Sequence, residues 1–169
     1  MLCSLVLICE YFSCCCRNKA HVHKKDIHIV HLKSIMSKIT GGCLCGKVKF
    51  ELEKKFTEFH CCHCTQCQKI SGSAHVSNLF TDPANINWLS GEDLVKRYDV
   101  QGRDISSAFC IECGCAVPFV TTSGTSIIVP AASLNEPHGM VPDDNIFWSE
   151  RAEWYDAALK AKKFAEFPE

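Results

Sequence analysis

The sequence predicts a mainly β protein with little helix, in which several short antiparallel sheets are organised around clusters of cysteines. Short apolar segments alternate with Gly- and Pro-containing turns along most of the chain, and this pattern is typical of short strands. Seven of the 14 cysteines stand in three tight clusters that have the spacing of metal ligands. Only residues 151–165 have a composition that favours helix.

Alternation of polar and apolar residues predicts the first strand. In residues 47–53, Val48, Phe50 and Leu52 occupy every second position, so all three are expected to face inward. Further along the chain, Gly and Pro residues act as turn signals between short apolar segments. Those segments predict strands within residues 56–60, 72–80, 94–100 and 105–109.

A hairpin and a last strand are predicted in the second half of the chain. Residues 117–120 and 127–129 flank the turn sequence at 122–124, and this arrangement indicates a hairpin. Two prolines and a glycine predict a loop over residues 134–142. Residues 146–148 predict the last strand.

Composition restricts the classes of partner. The chain has 169 residues, which is enough for one domain or for one domain with a tail. Its formal net charge is −1, so no basic field attracts nucleic acid or an anionic membrane, and neither partner is expected. In a short secreted chain, 14 cysteines would indicate disulfides, but C-x-C partners are too close to bridge each other comfortably. Metal thiolates are therefore favoured, which implies the cytosol or the nucleus.

Two cysteine pairs predict a structural zinc site. Cys43 and Cys45 are expected at the start of a strand with both sulfurs on one side, and Cys110 and Cys113 form a C-x-x-C turn followed by Gly114. Four thiolates complete the tetrahedral coordination of zinc, and closed sites of this kind are structural. The wide separation of the two pairs means that this zinc would tie an early strand to late ones.

A triplet of cysteines predicts a second zinc site of a different kind. Cys62, Cys64 and Cys67 supply three thiolates and leave one coordination position open, which is the arrangement of catalytic zinc. These three cysteines are the candidate catalytic residues. Lys69, two residues further on, is the candidate cation that offsets the negative charge of the site.

Neighbouring residues leave an alternative open at the triplet. Cys61 and His63 are also ligand types, and either one in the fourth position would close the site and make the protein a non-catalytic zinc module. Cys61 and Cys62 are expected to face opposite sides as strand neighbours. Cys115 is predicted to be a small buried residue.

The first 35 residues differ from the rest of the chain. They contain five cysteines and four histidines without a sustained helical or strand period, and the apolar run 2–9 is too short to span a bilayer. The patterned sequence begins at Met36. Residues 1–35 are predicted to be a disordered extension or translated upstream sequence, and residues 36–169 the zinc-binding β-rich domain. Palmitoylation within 14–16 and a His/Cys metal tract remain as alternatives.

The three cysteine clusters and the residues around them resemble the glutathione-dependent formaldehyde-activating enzyme family, which also contains the centromere protein V domain. The resemblance runs from about Thr40 to Trp154. Gln68 stands where that family commonly has arginine, and Cys61 and Cys115 are additions. The motifs are Thr40-Gly-Gly-Cys-Leu-Cys-Gly, Cys62-x-Cys-x-x-Cys-Gln-Lys-x-Ser-Gly, Ser90-Gly-Glu, Phe109-Cys-x-x-Cys-Gly, Ala132-Ser-Leu and Ile146-Phe-Trp.

The resemblance implies a function as well as a fold. It implies a β-rich fold with two zinc ions, one structural and one catalytic, on the two sets of cysteines given above. The family activity joins glutathione to formaldehyde and forms S-(hydroxymethyl)glutathione, a carbon–sulfur lyase reaction in formaldehyde detoxification. Zinc could bind the thiol as a thiolate or polarise the aldehyde carbonyl. Since glutathione is anionic, Lys69 is the candidate residue to bind it. The alternative function is that of a non-catalytic zinc-binding interaction module.

Overall fold

A computed structural model of the chain describes residues 37–168, so the predictions for residues 1–35 fall outside the described residues. In the described part, ten short strands and two short α-helices follow one another, and neither helix is long and apolar enough to cross a membrane. The mainly β fold class with little helix is confirmed. The strands are β1 (Lys38–Gly42), β2 (Lys49–Glu53), β3 (Glu58–Cys62), β4 (Val76–Thr81), β5 (Ile86–Ser90), β6 (Val95–Asp99), β7 (Ser106–Cys110), β8 (Phe119–Val120), β9 (Ile127–Pro130) and β10 (Asp144–Ile146).

The strands form three sheets. The first is antiparallel in the order β1-β2-β5, and the third is the antiparallel pair β6-β7. The second has the order β10-β3-β4-β9-β8, and in it only β10 pairs in parallel, along β3. The predicted hairpin is confirmed as β8 and β9. The parallel pairing of β10 with β3 differs from the prediction that the sheets are antiparallel.

The main core lies between the first and second sheets. Alternation in β2 turns Phe50 and Leu52 inward, as predicted, and Val48 just before the strand is also fully buried. The Phe50 ring meets the edge of the Trp88 ring at 5.8 Å, which is a favourable aromatic geometry. The buried members of this core are Ile39, Phe50, Leu52, Phe59, Leu79 and Val129.

The helices are α1 (Thr65–Ser71) and α2 (Tyr155–Lys160). The first of these was not predicted, since residues 151–165 were the only segment expected to favour helix, and the strand expected within residues 72–80 starts later than Gly72. Gly72 ends α1 with φ 64 and donates its N–H to the carbonyl of Gln68, so β4 begins only at Val76.

The C-terminal predictions are also corrected. The last strand, predicted over residues 146–148, ends at Ile146, because Phe147 adopts the left-handed conformation with φ 55. A single 3-10 turn, Trp148–Glu150, follows. Within residues 151–165, the helix is limited to α2, which buries none of its residues.

One histidine packed on the main core gives a pH prediction for stability. The His138 ring lies edge-on to Phe59 at 5.2 Å, and its Nδ1 accepts a hydrogen bond from Met140 N–H. Burial lowers the pKa of His138 below its ordinary 6.5, and the charge of Lys54 acts in the same direction. The folded state therefore favours the neutral ring. This stability is present above the ordinary pKa and is lost as the pH falls through and below it.

We therefore expect the free energy of unfolding of the full chain to fall between about pH 7 and pH 5. The fall should be smaller in His138→Leu, which cannot be protonated at this position. Urea denaturation of both proteins at several pH values measures the difference. An equal pH dependence in the two proteins would remove His138 from this account.

Candidate metal centres and active site

Four cysteines from distant parts of the chain converge at one end of the first sheet. The Sγ atoms of Cys43, Cys45, Cys110 and Cys113 all lie within 4.8 Å of one another. The Cys43 and Cys45 sulfurs are 3.4 Å apart, and those of Cys45 and Cys110 are 3.9 Å apart. The sequence spacing therefore brings together the four side chains that it predicted as one set. Their role as metal ligands stays a prediction.

Two tight turns position these sulfurs. Cys43 and Cys45 lie in the connection after β1, not at the start of a strand as predicted, and Val48 N–H donates a 3.3 Å hydrogen bond to Cys43 Sγ. Cys110 ends β7, and Gly114 donates to its carbonyl at 2.8 Å with φ 70. That positive φ closes the turn and is easily adopted only by glycine.

The electrostatics of this cluster favour a bound cation. Burial raises the pKa of the Cys43 thiol, but Val48 N–H and the three neighbouring sulfurs outweigh it and lower that pKa to about 6. A hydrogen bond from the Lys47 backbone lowers the pKa of Cys45, yet the neighbouring sulfurs raise it to about 12. One thiol thus ionises readily while its neighbour keeps a proton. A divalent cation would displace that proton and neutralise the thiolates.

The three-cysteine cluster lies where the second sheet meets α1. Cys62 is the last residue of β3, Cys64 is the N-cap of α1, and Cys67 lies in the first turn of that helix. All three are buried, and their sulfurs lie within 4.8 Å of one another. The Cys64 sulfur accepts a 3.4 Å hydrogen bond from Cys67 N–H. The strand end and the helix cap together make a compact set of three donors.

The thiols of this cluster also influence one another. The contact with the Cys67 sulfur lowers the pKa of Cys62 to about 6, although burial opposes it. The same contact raises the pKa of Cys67, and burial adds to that rise. Soft thiolates in this number and spacing fit zinc, which prefers sulfur and nitrogen ligands. Both clusters could hold zinc on this ground.

The other predicted residues are placed around the triplet. Cys61 faces away from it, with its sulfur 3.9 Å from Ser77 Oγ, as the strand alternation predicted. Neither Cys61 nor His63 contributes an atom to the converging set in the described residues. Lys69 is exposed in the last turn of α1. Because it follows Cys67 by two residues, its side chain leaves the helix about 200° further round the axis than that of Cys67. Its role in binding a thiol stays a prediction. Cys115 is partly exposed, so the prediction of a buried residue there is wrong.

Two residues that the sequence did not assign to the site connect the triplet to the segment after β10. The amide of Gln68 donates to the carbonyl oxygens of His63, at 2.6 Å, and Glu150, at 2.9 Å. The Glu150 carboxylate accepts from Thr65 N–H at 2.9 Å and from the Thr65 hydroxyl at 3.1 Å. Glu150 thereby caps the start of α1, and Gln68 connects both sides of the site.

Aromatic rings surround the side chain of His63, the residue between Cys62 and Cys64 in the chain. His63 is fully buried, and the rings of His75, Trp148 and Tyr155 approach it with centroid separations of 5.0, 5.0 and 4.9 Å. Arg151 stacks over Trp148 at 4.7 Å from the ring centroid. The sequence motif Ile146-Phe-Trp gives no indication that the ring of Trp148 packs against His63.

Comparisons with known proteins agree with this arrangement. The model of the glutathione-dependent formaldehyde-activating enzyme family matches residues 38–150. The chain belongs to this family. The predicted resemblance is confirmed, and membership supports a function of the formaldehyde-activating type in general. The matched range contains both cysteine clusters of the formaldehyde-activating domain and ends at Glu150.

A solved structure and the curated proteins add little beyond this. The chain is similar to the crystal structure of a Rhodobacter sphaeroides protein, a structural genomics target, at 22% sequence identity and a TM-score of 0.49. The similarity covers 61% of this chain and 97% of that chain. No curated protein matches the chain significantly.

The two hydrogen bonds from the Gln68 amide to the carbonyls of His63 and Glu150, here called the Gln68 clamp, give a stability prediction for this formaldehyde-activating domain. Gln68→Ala removes hydrogen bonds to two carbonyls and should lower the free energy of unfolding by about 1–3 kcal/mol. Urea denaturation of the zinc-loaded full chain measures this loss. Gln66→Ala is the matched control in the same helix, because the Gln66 side chain accepts only a 3.3 Å hydrogen bond from the neighbouring Thr65 hydroxyl and connects no distant segment. Equal losses in the two variants would show that the clamp contributes nothing.

Proposed function

We propose that the chain is a zinc-dependent carbon–sulfur lyase that adds a small aldehyde to a thiol, with glutathione and formaldehyde as the first pair to test. The observation that carries this proposal is the convergence of three buried thiols, Cys62, Cys64 and Cys67, without a fourth ligand from the described residues. Three protein ligands and one open position are the arrangement of catalytic zinc sites. Family membership supports the same type of function.

The two clusters have different roles in this proposal. Cys43, Cys45, Cys110 and Cys113 hold a structural zinc, because four thiolates leave no position for a substrate. Cys62, Cys64 and Cys67 hold the second zinc and leave one coordination position open for a substrate. The described domain would thus bind two zinc ions, one to maintain the fold and one to react.

The reaction itself balances without a further reactant. The thiol R–SH adds across the carbonyl C=O, a carbon–sulfur bond forms, the carbonyl π bond breaks, and the thiol proton ends on oxygen as R–S–CH₂–OH. Zinc on the three thiolates would supply an open position at which a thiol ionises or a carbonyl is polarised. The chain contributes binding and orientation. Gln68 and Glu150 fix the start of α1 and the backbone at His63, between two of the cysteines, and Val76, Ile105 and Ile146 pack against the triplet.

Several further assignments belong to this proposal. Lys69 is exposed near the end of α1 and remains the candidate cation for an anionic thiol. The zinc-binding domain is residues 36–169, and the expected compartment is the cytosol or the nucleus. The alternative of a non-catalytic zinc module needs a fourth protein ligand at the triplet. The described position of Cys61, turned toward Ser77, argues against that residue in this role.

The test is an assay of the full zinc-loaded chain with several thiol–aldehyde pairs. Thiols add to formaldehyde spontaneously, so the expected result is acceleration above that background. Metal analysis of the same sample should give about two zinc ions per chain. One zinc per chain would remove the second metal site, and no acceleration with any pair would favour the non-catalytic module.

A further inference from the structure

The turn between β6 and β7 reaches the three-cysteine cluster. Ile105, the residue just before β7, packs against the three buried cysteines, although β6 and β7 form a sheet of their own. Two backbone hydrogen bonds fix the turn, from Val100 N–H to Ile105 O at 2.8 Å and from Arg103 N–H to Val100 O at 3.2 Å. The turn therefore has a defined conformation at the edge of the candidate active site.

Arg103 lies in this turn, and its side chain is exposed. Its guanidinium donates no hydrogen bond and forms no ion pair to any of residues 37–168. The other two arginines of that range, Arg97 and Arg151, each form an ion pair with an aspartate. The neighbouring carboxylate, Asp104, accepts a hydrogen bond from the Thr122 hydroxyl instead. Arg103 is thus a cation that can pair with an anion from solution.

A second interaction places Arg103 near the start of α1. The Glu150 carboxylate accepts a hydrogen bond from Thr65 N–H at 2.9 Å, and Thr65 directly follows Cys64 of the triplet. That hydrogen bond lowers the pKa of Glu150 most, and the positive charge of Arg103 lowers it further. Arg103 therefore lies close enough to act on Glu150 through space without forming an ion pair. This interaction and the packing of Ile105 both place the guanidinium at the edge of the triplet.

An arginine in this position suits a carboxylate ligand. The planar guanidinium can donate two parallel hydrogen bonds to one carboxylate group, which an ammonium group cannot do. Glutathione carries a carboxylate at each end, so either end could reach the edge of the site while its thiol occupies the open position. Lys69, the candidate from the sequence, leaves α1 on a different face from Cys67.

We propose that Arg103 binds a carboxylate of the thiol substrate and thereby makes the site selective for anionic thiols over neutral ones. This inference rests on the proposed function, because the thiol is taken to occupy the open position at Cys62, Cys64 and Cys67. Arg103 takes no part in bond formation, and no proton is transferred to or from it. It contributes affinity for the thiol, so its loss should raise KM and leave kcat nearly unchanged.

The experiment measures binding of thiols to the full, zinc-loaded chain by isothermal titration calorimetry. Arg103→Gln should weaken glutathione binding by about five- to tenfold, since charged hydrogen bonds at an exposed position are lost. Arg103→Lys keeps the charge without the planar fork and should recover part of the affinity. Glutathione diethyl ester, in which both carboxylates are masked, should bind equally to the wild type and to Arg103→Gln.

Two further variants and the kinetics sharpen the test. Lys96→Gln is the matched control, because it removes one positive charge from an exposed position of β6 that pairs with Phe109, away from the turn. It should bind glutathione like the wild type. Lys69→Gln should lose less affinity than Arg103→Gln. In the assay with glutathione and formaldehyde, added salt should raise the KM of the wild type more than that of Arg103→Gln.

Three results would overturn the inference. They are equal affinity of the wild type and Arg103→Gln for glutathione, an equal loss of affinity for the diethyl ester, and a larger loss in Lys69→Gln. Any of these in a chain that accelerates the reaction would leave the proposed function standing. A loss specific to glutathione in a chain without acceleration would instead keep the carboxylate contact and remove the lyase activity. No binding of glutathione by the wild type would remove both.

Discussion

Replacing Cys113 by serine is expected to remove the metal from the four-cysteine cluster and to unfold most of the domain. The cluster joins parts of the chain that are far apart, since Cys45 and Cys110 are separated by 65 residues. Structural zinc contributes about 10–16 kcal/mol of apparent binding free energy in small domains, and whole domains are stable by only about 5–15 kcal/mol. Cys113 is partly exposed, so serine at this position creates no cavity and the loss comes from the metal.

Thermal unfolding and metal analysis of the full chain measure this effect. The matched control is Cys115→Ser, two residues further on in the same turn. Cys115 is also partly exposed, and its sulfur, 3.6 Å from the carbonyl oxygen of Ala116, does not belong to the set of four converging sulfurs. The control should keep its zinc and its unfolding temperature. If Cys113→Ser did the same, the four-cysteine cluster would not be a structural metal site.

Replacing Cys64 by serine is expected to abolish the accelerated reaction while the domain stays folded. Cys64 is the N-cap of α1, where its sulfur accepts a hydrogen bond from Cys67 N–H. Serine is one of the preferred N-cap residues, so the hydroxyl can take over this contact and α1 should remain capped. The triplet would keep only two thiolates. We expect the rate to fall to the spontaneous background and the zinc content to fall by about one ion per chain.

Cys61→Ser is the matched control for this variant. Cys61 is also buried and only three residues away, but its sulfur faces Ser77 and not the triplet. It should keep both its zinc content and its activity. Full activity in Cys64→Ser would contradict the catalytic role of the triplet, and unfolding to the same extent as Cys113→Ser would contradict the division into structural and catalytic sites.

The sequence predicted best where short-range rules apply. The alternation of polar and apolar residues correctly predicted that Phe50 and Leu52 lie in the core, because successive side chains of a strand point to opposite faces. Close spacing of Cys110 and Cys113 identified a turn that brings two sulfurs together. The sulfurs of the predicted triplet lie close together for the same reason. In each case the geometry depends on a few consecutive residues.

Helix α1 was missed because its start signal is unusual. Helices typically begin with Ser, Thr, Asp or Asn, whereas the N-cap here is Cys64, a residue that was considered only as a metal ligand. Gly72, which ends the helix, was available as a signal but was assigned to a strand.

The surroundings of the triplet depend on contacts that no local pattern contains. The parallel pairing of β10 with β3 joins Ile146 to Cys62 across 84 residues and brings Trp148 onto His63. Parallel pairs need long crossovers, so a short strand at the end of a chain gives no indication of its partner. Gln68 was noted only as a departure from arginine. Its hydrogen bonds to two carbonyls became visible only in the folded arrangement.

The central claim is that the triplet holds a metal with an open position at which a thiol binds. The most direct measurement is the absorption spectrum of the full chain loaded with Co²⁺ in place of zinc, before and after addition of glutathione. We expect about two cobalt ions per chain, and a thiolate-to-cobalt charge-transfer band that grows with glutathione in the wild type and stays constant in Cys64→Ser. Binding of a single cobalt ion, or a wild-type spectrum that glutathione leaves unchanged, would contradict the claim.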